Sequence, residues 1–214
     1  MKQSEIKQKR LMEKARELFW TYGYNGVSID QIANEAGISK MTIYKHCSSK
    51  EDLFLKALIE FSDPIFDDII SKMIKIDHTL EKVEFFYSYT MSLSKDFPAI
   101  LTKDVMERPY VLKKLTAYKR QRSLFIWNYI LEDGIKKGEI RHLDIDFVSN
   151  LLLDLPMIFI NSDYLKEEYR NKLINNFFDF IKYGLLGGIG APLKYAEKEE
   201  NHFGEGYLVE SRKP

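Results

Sequence analysis

The stretch that decides the fold reads VSIDQIANEAGISKMTIYKHCSSK and spans residues 27–50. Its first half carries apolar residues at i, i+3, i+4 and i+7, the spacing of one helix face: Ile29, Ile32, Ala33 and Ala36. Ser28 precedes this face as an N-cap, and Gly37 follows it as a C-cap. Ser39, only two residues after Gly37, is a second N-cap. The pattern therefore predicts two short helices joined by a tight turn.

Two helices joined in this way are typical of a helix-turn-helix, whose second helix enters the DNA major groove. An ordinary corner between two helices of a core has the same local pattern. The flanking residues favour DNA, because Ser49 opens a third capped helix with Lys50 in its first turn. Free backbone N–H groups and a lysine at a helix N-terminus bind phosphate well. Tyr44 and His46 add polar groups nearby.

The same residues resemble a known family. The pattern Gly23-Tyr24-x-Gly26-Val27-Ser28-Ile29-x-x-Ile32-Ala33-x-x-Ala36-Gly37-Ile38-Ser39-Lys40-x-Thr42-Ile43-Tyr44-x-His46-x-x-Ser49-Lys50-Glu51-x-Leu53 is similar to the DNA-binding domain of TetR-family transcriptional regulators. The family usually has Phe where this chain has Cys47, so we expect a smaller wedge between the third and fourth helices.

Charge is unevenly distributed along the 214 residues, although the formal net charge is zero. Residues 1–50 contain nine Lys and Arg against five acids, so the remainder carries an excess of acids. A basic end on an acidic chain is expected of a DNA-binding head with a separate body. The single cysteine excludes an internal disulfide framework. Without a leader or a long apolar run, we expect a cytoplasmic protein with no membrane partner.

Helical periodicity continues through the rest of the chain, and no segment reads as a strand. We predict helices at 4–22, from 49, and near 65–75, 79–95, 98–107, 109–137, 144–161 and 166–186. Pro64 predicts either a kink or the start of a new helix, and Pro156 an interruption. The fold class is all-α, with a helix-turn-helix DNA-binding domain at 1–50, a larger helical effector-binding and dimerisation domain at 51–190, and a loosely ordered tail at 191–214.

The second helix of the 27–50 stretch carries the candidate DNA contacts. We expect Met41 and Thr42 to contact thymine methyl groups and Lys45 to reach a guanine edge or a phosphate. Ser39 and Lys40 belong to the same recognition helix. Phosphate contacts, which position the protein without reading sequence, are assigned to four residues: Ser28, Tyr44, His46 and Lys50.

The last two predicted helices carry more large apolar side chains than one chain usually covers. The resemblance implies that they form a four-helix bundle with a second subunit. Because one recognition helix reads too few base pairs to be selective, a twofold dimer is also expected on physical grounds. The candidate interface residues are Phe147, Leu151, Leu155, Leu173, Phe177, Phe180 and Ile181.

The body between these regions is rich in aromatic residues, which most often form a core. The resemblance implies an effector pocket among the middle helices, and ligand binding there that moves two DNA heads apart. Candidate lining residues are Tyr89, Met106, Tyr110, Trp127, Asn128 and Phe159, with Glu107 or Asp154 as the counter-charge for a cationic ligand.

The function expected from these features is a homodimeric DNA-binding repressor whose operator binding is relieved by a small-molecule effector. The alternative is a DNA-binding regulator or architectural protein with no such effector, controlled by a protein partner. Catalysis is not expected, because no phosphate loop or activated nucleophile is visible. The four histidines show no metal-ligand spacing with the cysteine, and neither a metal nor a cofactor is expected.

Overall fold

A computed structural model describes residues 3–160 and a few more near the carboxyl end: 172, 173, 176, 177, 180, 181 and 183–185. The side chains of residues 91, 93–96 and 155–160 are outside this description. So is the predicted tail at 191–214.

The part of the chain described contains eight complete helices and no strand: α1 Gln3–Tyr22, α2 Ile29–Ala36, α3 Lys40–His46, α4 Lys50–Met73, α5 Thr79–Asp96, α6 Ala99–Met106, α7 Pro109–Lys137 and α8 Ile145–Ile160. The nine described residues near the carboxyl end are helical as well. The all-α prediction is confirmed.

The helix ends of the amino-terminal region are set by the predicted capping residues. The side chains of Ser28, Ser39 and Ser49 accept hydrogen bonds from the backbone N–H groups of Gln31, Thr42 and Asp52, respectively. Gly37 takes the left-handed conformation with φ 62°. Local hydrogen bonding therefore fixes the angle at which α3 leaves α2.

The first hydrophobic core lies beneath these helices. It contains buried residues of α1, α2, α3 and the first half of α4, including Phe19, Ile32, Ile43 and Phe54. Leu101, Val105, Val111 and Leu115 join it from α6 and α7. The predicted boundary at residue 50 therefore does not coincide with a gap in the packing, because α4 belongs to both halves.

A second hydrophobic core fills the body. It joins the distal half of α4 to α5, α7, α8 and the described residues beyond 172, around the buried ring of Trp127. Phe86 and Tyr87 contact that ring with centroid distances of 5.0 and 5.1 Å. The buried aromatic residues Phe86, Tyr87 and Trp127 are thus packing residues of this core.

Pro64 lies inside α4, which runs without a break from Lys50 to Met73. The expectation that a new helix starts there was wrong. A proline removes one backbone hydrogen bond, and the packing of α4 against α1, α5 and α7 holds the helix together across that gap. Likewise α8 passes through Pro156 without interruption. No described helix is both long enough and apolar enough to cross a membrane.

Candidate nucleic-acid interface

The short helix α3 is held from below by one residue and is open to solvent above. Ile43 is 0% exposed and packs into the first core, whereas Met41 is 71% exposed. Tyr44 and Lys45 are exposed as well, and Thr42 and His46 are half-buried. An exposed helix on a fixed support is the arrangement that reading of a DNA groove requires.

The cap hydroxyls have a second hydrogen-bonding capacity. Ser28 Oγ and Ser39 Oγ each accept from a backbone N–H at 3.1 Å, and the side chain of Ser28 is exposed. A hydroxyl that accepts in this way retains a proton that it can donate to a phosphate oxygen. Ser39 Oγ also lies 2.9 Å from Thr42 Oγ1, so one hydroxyl of that pair donates to the other. The methyl group of Thr42 takes no part in that bond.

The two lysines of the recognition helix differ in their surroundings. Lys40 Nζ lies 2.6 Å from Asp30 Oδ1, and this hydrogen-bonded carboxylate raises the pKa of the lysine. Lys45 has no carboxylate partner among the described side chains. Its positive charge is therefore available to a groove or a phosphate.

Lys50 lies at the start of α4 against the ring of Tyr24, with its Nζ 4.1 Å from the ring centroid. The structure describes no carboxylate paired with it. Partial burial, together with the nearby Arg108 guanidinium, lowers the pKa of Lys50. An unpaired ammonium beside free N–H groups at a helix N-terminus is suited to a phosphate.

Cys47 replaces the usual aromatic residue without leaving the corner open. It is buried in the first core, and burial raises the pKa of its thiol. Lys56 Nζ donates to His46 O at 2.5 Å and approaches Cys47 Sγ at 3.9 Å. The lysine thus closes the end of α3 that the smaller side chain leaves less filled.

A polar clamp that the sequence analysis missed ties this region to the body. Asp104 of α6 accepts a hydrogen bond from the backbone N–H of Tyr24 at 2.7 Å. Arg108 donates to Asp104 Oδ1 at 3.2 Å and to Asn25 Oδ1 at 2.7 Å. The Arg108 guanidinium also lies 3.8 Å from the centre of the Tyr24 ring. Both charged residues are buried.

Gly23 makes this close approach geometrically feasible. Its φ is 69°, and a Cβ atom there would lie 2.7 Å from Ile100 Cδ1 and 2.9 Å from Asp104 Oδ2. Asp104 lies on α6, whereas Arg108 is the N-cap residue of α7. Their partners lie about eighty residues away, and no local pattern indicates such a contact.

The predicted effector residues that the structure describes have different surroundings. Trp127 is a core residue, and the hydroxyl of Tyr89 donates to Asp68. Asp154 pairs with Arg120. Three others are exposed where α6 meets α7: Met106, Glu107 and Tyr110. Asn128 Oδ1 is buried with no hydrogen-bond partner, and the side chain of Phe159 is outside the described part.

The predicted interface residues also divide into groups. Phe147 and Phe180 are exposed, whereas Leu151 and Leu173 are half-buried. Phe177 and Ile181 lie in the core of one subunit, which leaves them little surface to offer a second chain. The side chain of Leu155 is outside the described residues. Tyr183, not singled out before, is exposed as well.

The comparisons with known proteins give a family match to the amino-terminal region and relatives that cover most of the chain. Residues 11–57 match the family described as bacterial regulatory proteins, tetR family. The activator FasR of Mycolicibacterium smegmatis is 24% identical over 159 residues, 72% of either chain. The repressor KstR2 of the same organism is 26% identical over 157 residues, covering 70% of this chain and 76% of KstR2.

Solved structures share the fold. FadR from Bacillus subtilis, in complex with stearoyl-CoA, superposes with a TM-score of 0.57 at 22% identity, over 83% of this chain and 99% of FadR. FadR from Bacillus halodurans gives a TM-score of 0.54 at 20% identity, over 87% and 97%. Residues 11–57 thus match the tetR family of bacterial regulatory proteins, and over most of its length the chain is similar to HTH-type transcriptional regulators.

Proposed function

We propose that the protein is a homodimeric repressor whose hold on its operator is relieved by a small molecule bound in the helical body. The observation that carries the proposal is the capped and exposed α3, anchored by Ile43 and presenting Met41, Tyr44 and Lys45 to solvent. Without a groove to enter, this helix has no evident reason to expose a methionine and a tyrosine together.

In this proposal, α3 contacts the base edges of the DNA, and residues on and beside α3 contact the phosphate backbone of the DNA. Met41 and the Thr42 methyl meet thymine methyl groups, and Lys40 and Lys45 serve base edges or phosphates. The other five residues assigned to DNA lie on α3 or beside it and bind or position the phosphates: Ser28, Ser39, Tyr44, His46 and Lys50. Phosphate contacts fix register, while base contacts give specificity.

The dimer is supported by exposed aromatic side chains near the carboxyl end. Phe147, Phe180 and Tyr183 are all largely exposed in the single chain. Exposed aromatic side chains are typical of a surface that a second subunit covers. Two copies of α3 related by a twofold axis would then occupy neighbouring major grooves of a symmetric site.

An effector in the body is supported by two buried polar atoms. Asn128 Oδ1 on α7 and Ser149 Oγ on α8 are buried and have no hydrogen-bond partner among the residues that the structure describes. Such groups are rare in folded proteins, because burying them unpaired costs about 1–3 kcal/mol each. Helices α7 and α8 pack against each other, and a bound ligand between body helices would give these atoms partners. FadR of the same fold was solved with stearoyl-CoA.

The clamp between body and head is the proposed route of the signal. Arg108 touches the same Tyr24 ring as Lys50, which we assign to a phosphate. A ligand that moves the junction of α6 and α7 would move Arg108 and Asp104, and with them the 23–25 turn and Lys50. A small displacement of the buried contact between Asp104 and Arg108 would then release the operator.

The second candidate function replaces the small molecule with a protein partner. It is favoured by the exposure of Ile100, Met106 and Tyr110 around α6, next to the same clamp. A partner docked there would act on Asp104 and Arg108 without entering the body.

The experiment measures release of DNA from the purified protein. A duplex is first retrieved by the wild-type protein from a pool of random sequences and labelled for fluorescence anisotropy. Stearoyl-CoA serves as the probe and coenzyme A alone as its control. Release by the acyl form supports an effector in the body. Retention of DNA with a panel of acyl-CoAs and other apolar ligands favours the protein-controlled alternative, and failure to retrieve any duplex contradicts both.

The direction of regulation needs its own readout, because the relatives include both an activator and a repressor. A reporter placed behind the retrieved duplex should be expressed less when the protein is present. Higher expression would identify an activator.

A further inference from the structure

A carboxylate lies beside the amino end of α3. Asp30 Oδ1 is 2.6 Å from Lys40 Nζ, and this ion pair links the first turn of α2 to the first turn of α3. Both side chains are exposed. Lys45, one and a half turns further along α3, has no such partner among the described residues. One of the two recognition lysines is therefore neutralised and the other is not.

Stability does not explain why the two side chains meet. An acidic side chain in the first turn of α2 interacts favourably with the helix dipole whether or not a lysine is nearby. Exposed ion pairs contribute little to folding, because they order two long side chains and are screened by salt. The geometry matters more for what Lys40 does when DNA approaches.

Non-specific and specific binding depend differently on such a charge. Affinity for arbitrary DNA rises with the number of phosphates that lysines neutralise, because each contact releases counterions. A lysine already paired with a carboxylate contributes little to that term. A hydrogen bond to a base edge depends on direction instead, and an ammonium that gives one proton to Asp30 keeps two N–H donors for it.

We propose that Asp30 is a specificity-determining residue, which aims the Lys40 ammonium at a base edge and lowers affinity for arbitrary DNA more than for the operator. The inference rests on the proposed function, in which α3 enters the major groove. Asp30 itself acts through Lys40 and is a positioning residue.

The test uses two duplexes of about 30 base pairs, long enough for two half-sites one helical turn apart. One is a duplex retrieved by the wild-type protein from a random pool, and the other is its scrambled sequence. Four variants of the full chain are compared with wild type: Asp30→Asn, Lys40→Met, the double variant, and Glu35→Gln. Glu35 is an exposed acid of the same helix, so its substitution removes the same charge. Dissociation constants are measured by anisotropy over a series of salt concentrations.

For Asp30→Asn we expect tighter binding of the scrambled duplex by about fivefold and a salt slope steeper by about 1, as for one additional phosphate contact. The affinity for the retrieved duplex should increase less, so the ratio of the affinity for the retrieved duplex to that for the scrambled duplex falls. In the Lys40→Met background the Asp30→Asn change should leave that ratio unaltered. Glu35→Gln should change the affinities for the two duplexes by the same small factor.

Two results would overturn the inference. If Asp30→Asn strengthens both duplexes equally, or keeps its effect without Lys40, Asp30 is only a repulsive charge near DNA. A wild-type protein that retrieves no duplex would instead contradict the proposed function, and the inference with it. Should Asp30→Asn fail to fold by circular dichroism, Asp30→Ser removes the charge while keeping a hydrogen-bonding group in the first turn of α2.

Discussion

Residues close together on α3 have different roles: some pack in the core, and others are exposed for contact with DNA. Ile43 is 0% exposed and Met41 is 71% exposed, although they are two positions apart. The sequence assigned only Met41, to a DNA contact; the 3.6-residue helical period explains why Ile43 lies on a different face. Capping by Ser28, Ser39 and Gly37 was predictable, since each depends on bonds within four residues. The Lys40–Asp30 pair was not, because it depends on how two helices cross.

Ile43→Ala and Met41→Ala form a matched pair of truncations in one helix. We expect Ile43→Ala to lower the free energy of unfolding by about 2–4 kcal/mol, the usual cost of a cavity in a core. Met41→Ala should leave stability within about 0.5 kcal/mol but reduce discrimination between the retrieved and scrambled duplexes. Urea denaturation and anisotropy measure the two effects. Equal stability loss in both variants would contradict the assignment of the two faces.

Lys50 and Thr42 are expected to act on DNA in different ways. Lys50→Ala should weaken all duplexes by a similar factor and reduce the salt slope by about 1, because a phosphate contact carries no sequence information. Thr42→Ala should change the preference between duplexes. Thr42→Val is the control, since it keeps the methyl group of threonine and replaces the hydroxyl bonded to Ser39 with a second methyl. A uniform loss on every sequence for both Lys50→Ala and Thr42→Ala would refute the division.

The amino end of α5 is stabilised by a residue distant in sequence, in contrast to the amino ends of α2, α3 and α4. His78, the N-cap of α5, makes no capping hydrogen bond with its side chain. Glu139 takes over that task, because its Oε2 accepts from Thr79 N at 2.7 Å and from Thr79 Oγ1 at 2.6 Å. Gly138 ends α7 as its C-cap, with a φ of 71°. The role of Glu139 could not be predicted, because sixty residues separate it from Thr79.

Glu139 should make stability depend on pH in the acid range. The hydrogen bonds from Thr79 hold the pKa of its carboxyl below the ordinary value of 4.5. Its contribution is therefore fully present above that value and is lost as the pH falls through the lower folded pKa. Chemical denaturation between about pH 6 and 3 should show a shallower acid decline for Glu139→Gln than for wild type. An identical slope in the two proteins would show that Glu139 is not the group that titrates.

At the scale of the whole molecule, the sequence predicted the head and most helix bounds of the described residues better than the arrangement of the body. Helical periodicity and capping are local, so the element bounds agree closely, as for Pro109–Lys137. The aromatic residues of the body were ambiguous, because a ring that lines a pocket and a ring that fills a core look alike in sequence. Trp127 is a core residue, whereas Tyr110 is exposed.

The dimer makes a prediction at this scale. Phe180→Glu places a charge on an aromatic residue that is 69% exposed, at the proposed interface. Phe125→Glu is the control, because Phe125 is 63% exposed on α7 and was not assigned to that interface. We expect sedimentation to give a monomer for Phe180→Glu and a dimer for Phe125→Glu. A dimer in both, or a monomeric wild-type protein, would remove the interface proposed here.

The most direct test of the account maps where the protein protects the major groove. Dimethyl sulfate methylates guanine N7 in that groove, and protection is measured on the retrieved duplex with wild-type protein and with Met41→Ala. We expect two symmetric protected patches whose centres lie about 34 Å apart or a multiple of that, with protection weakened by Met41→Ala. A single protected patch, or protection of guanines that is unaffected by changes in α3, would contradict the claim that two copies of this helix read the DNA.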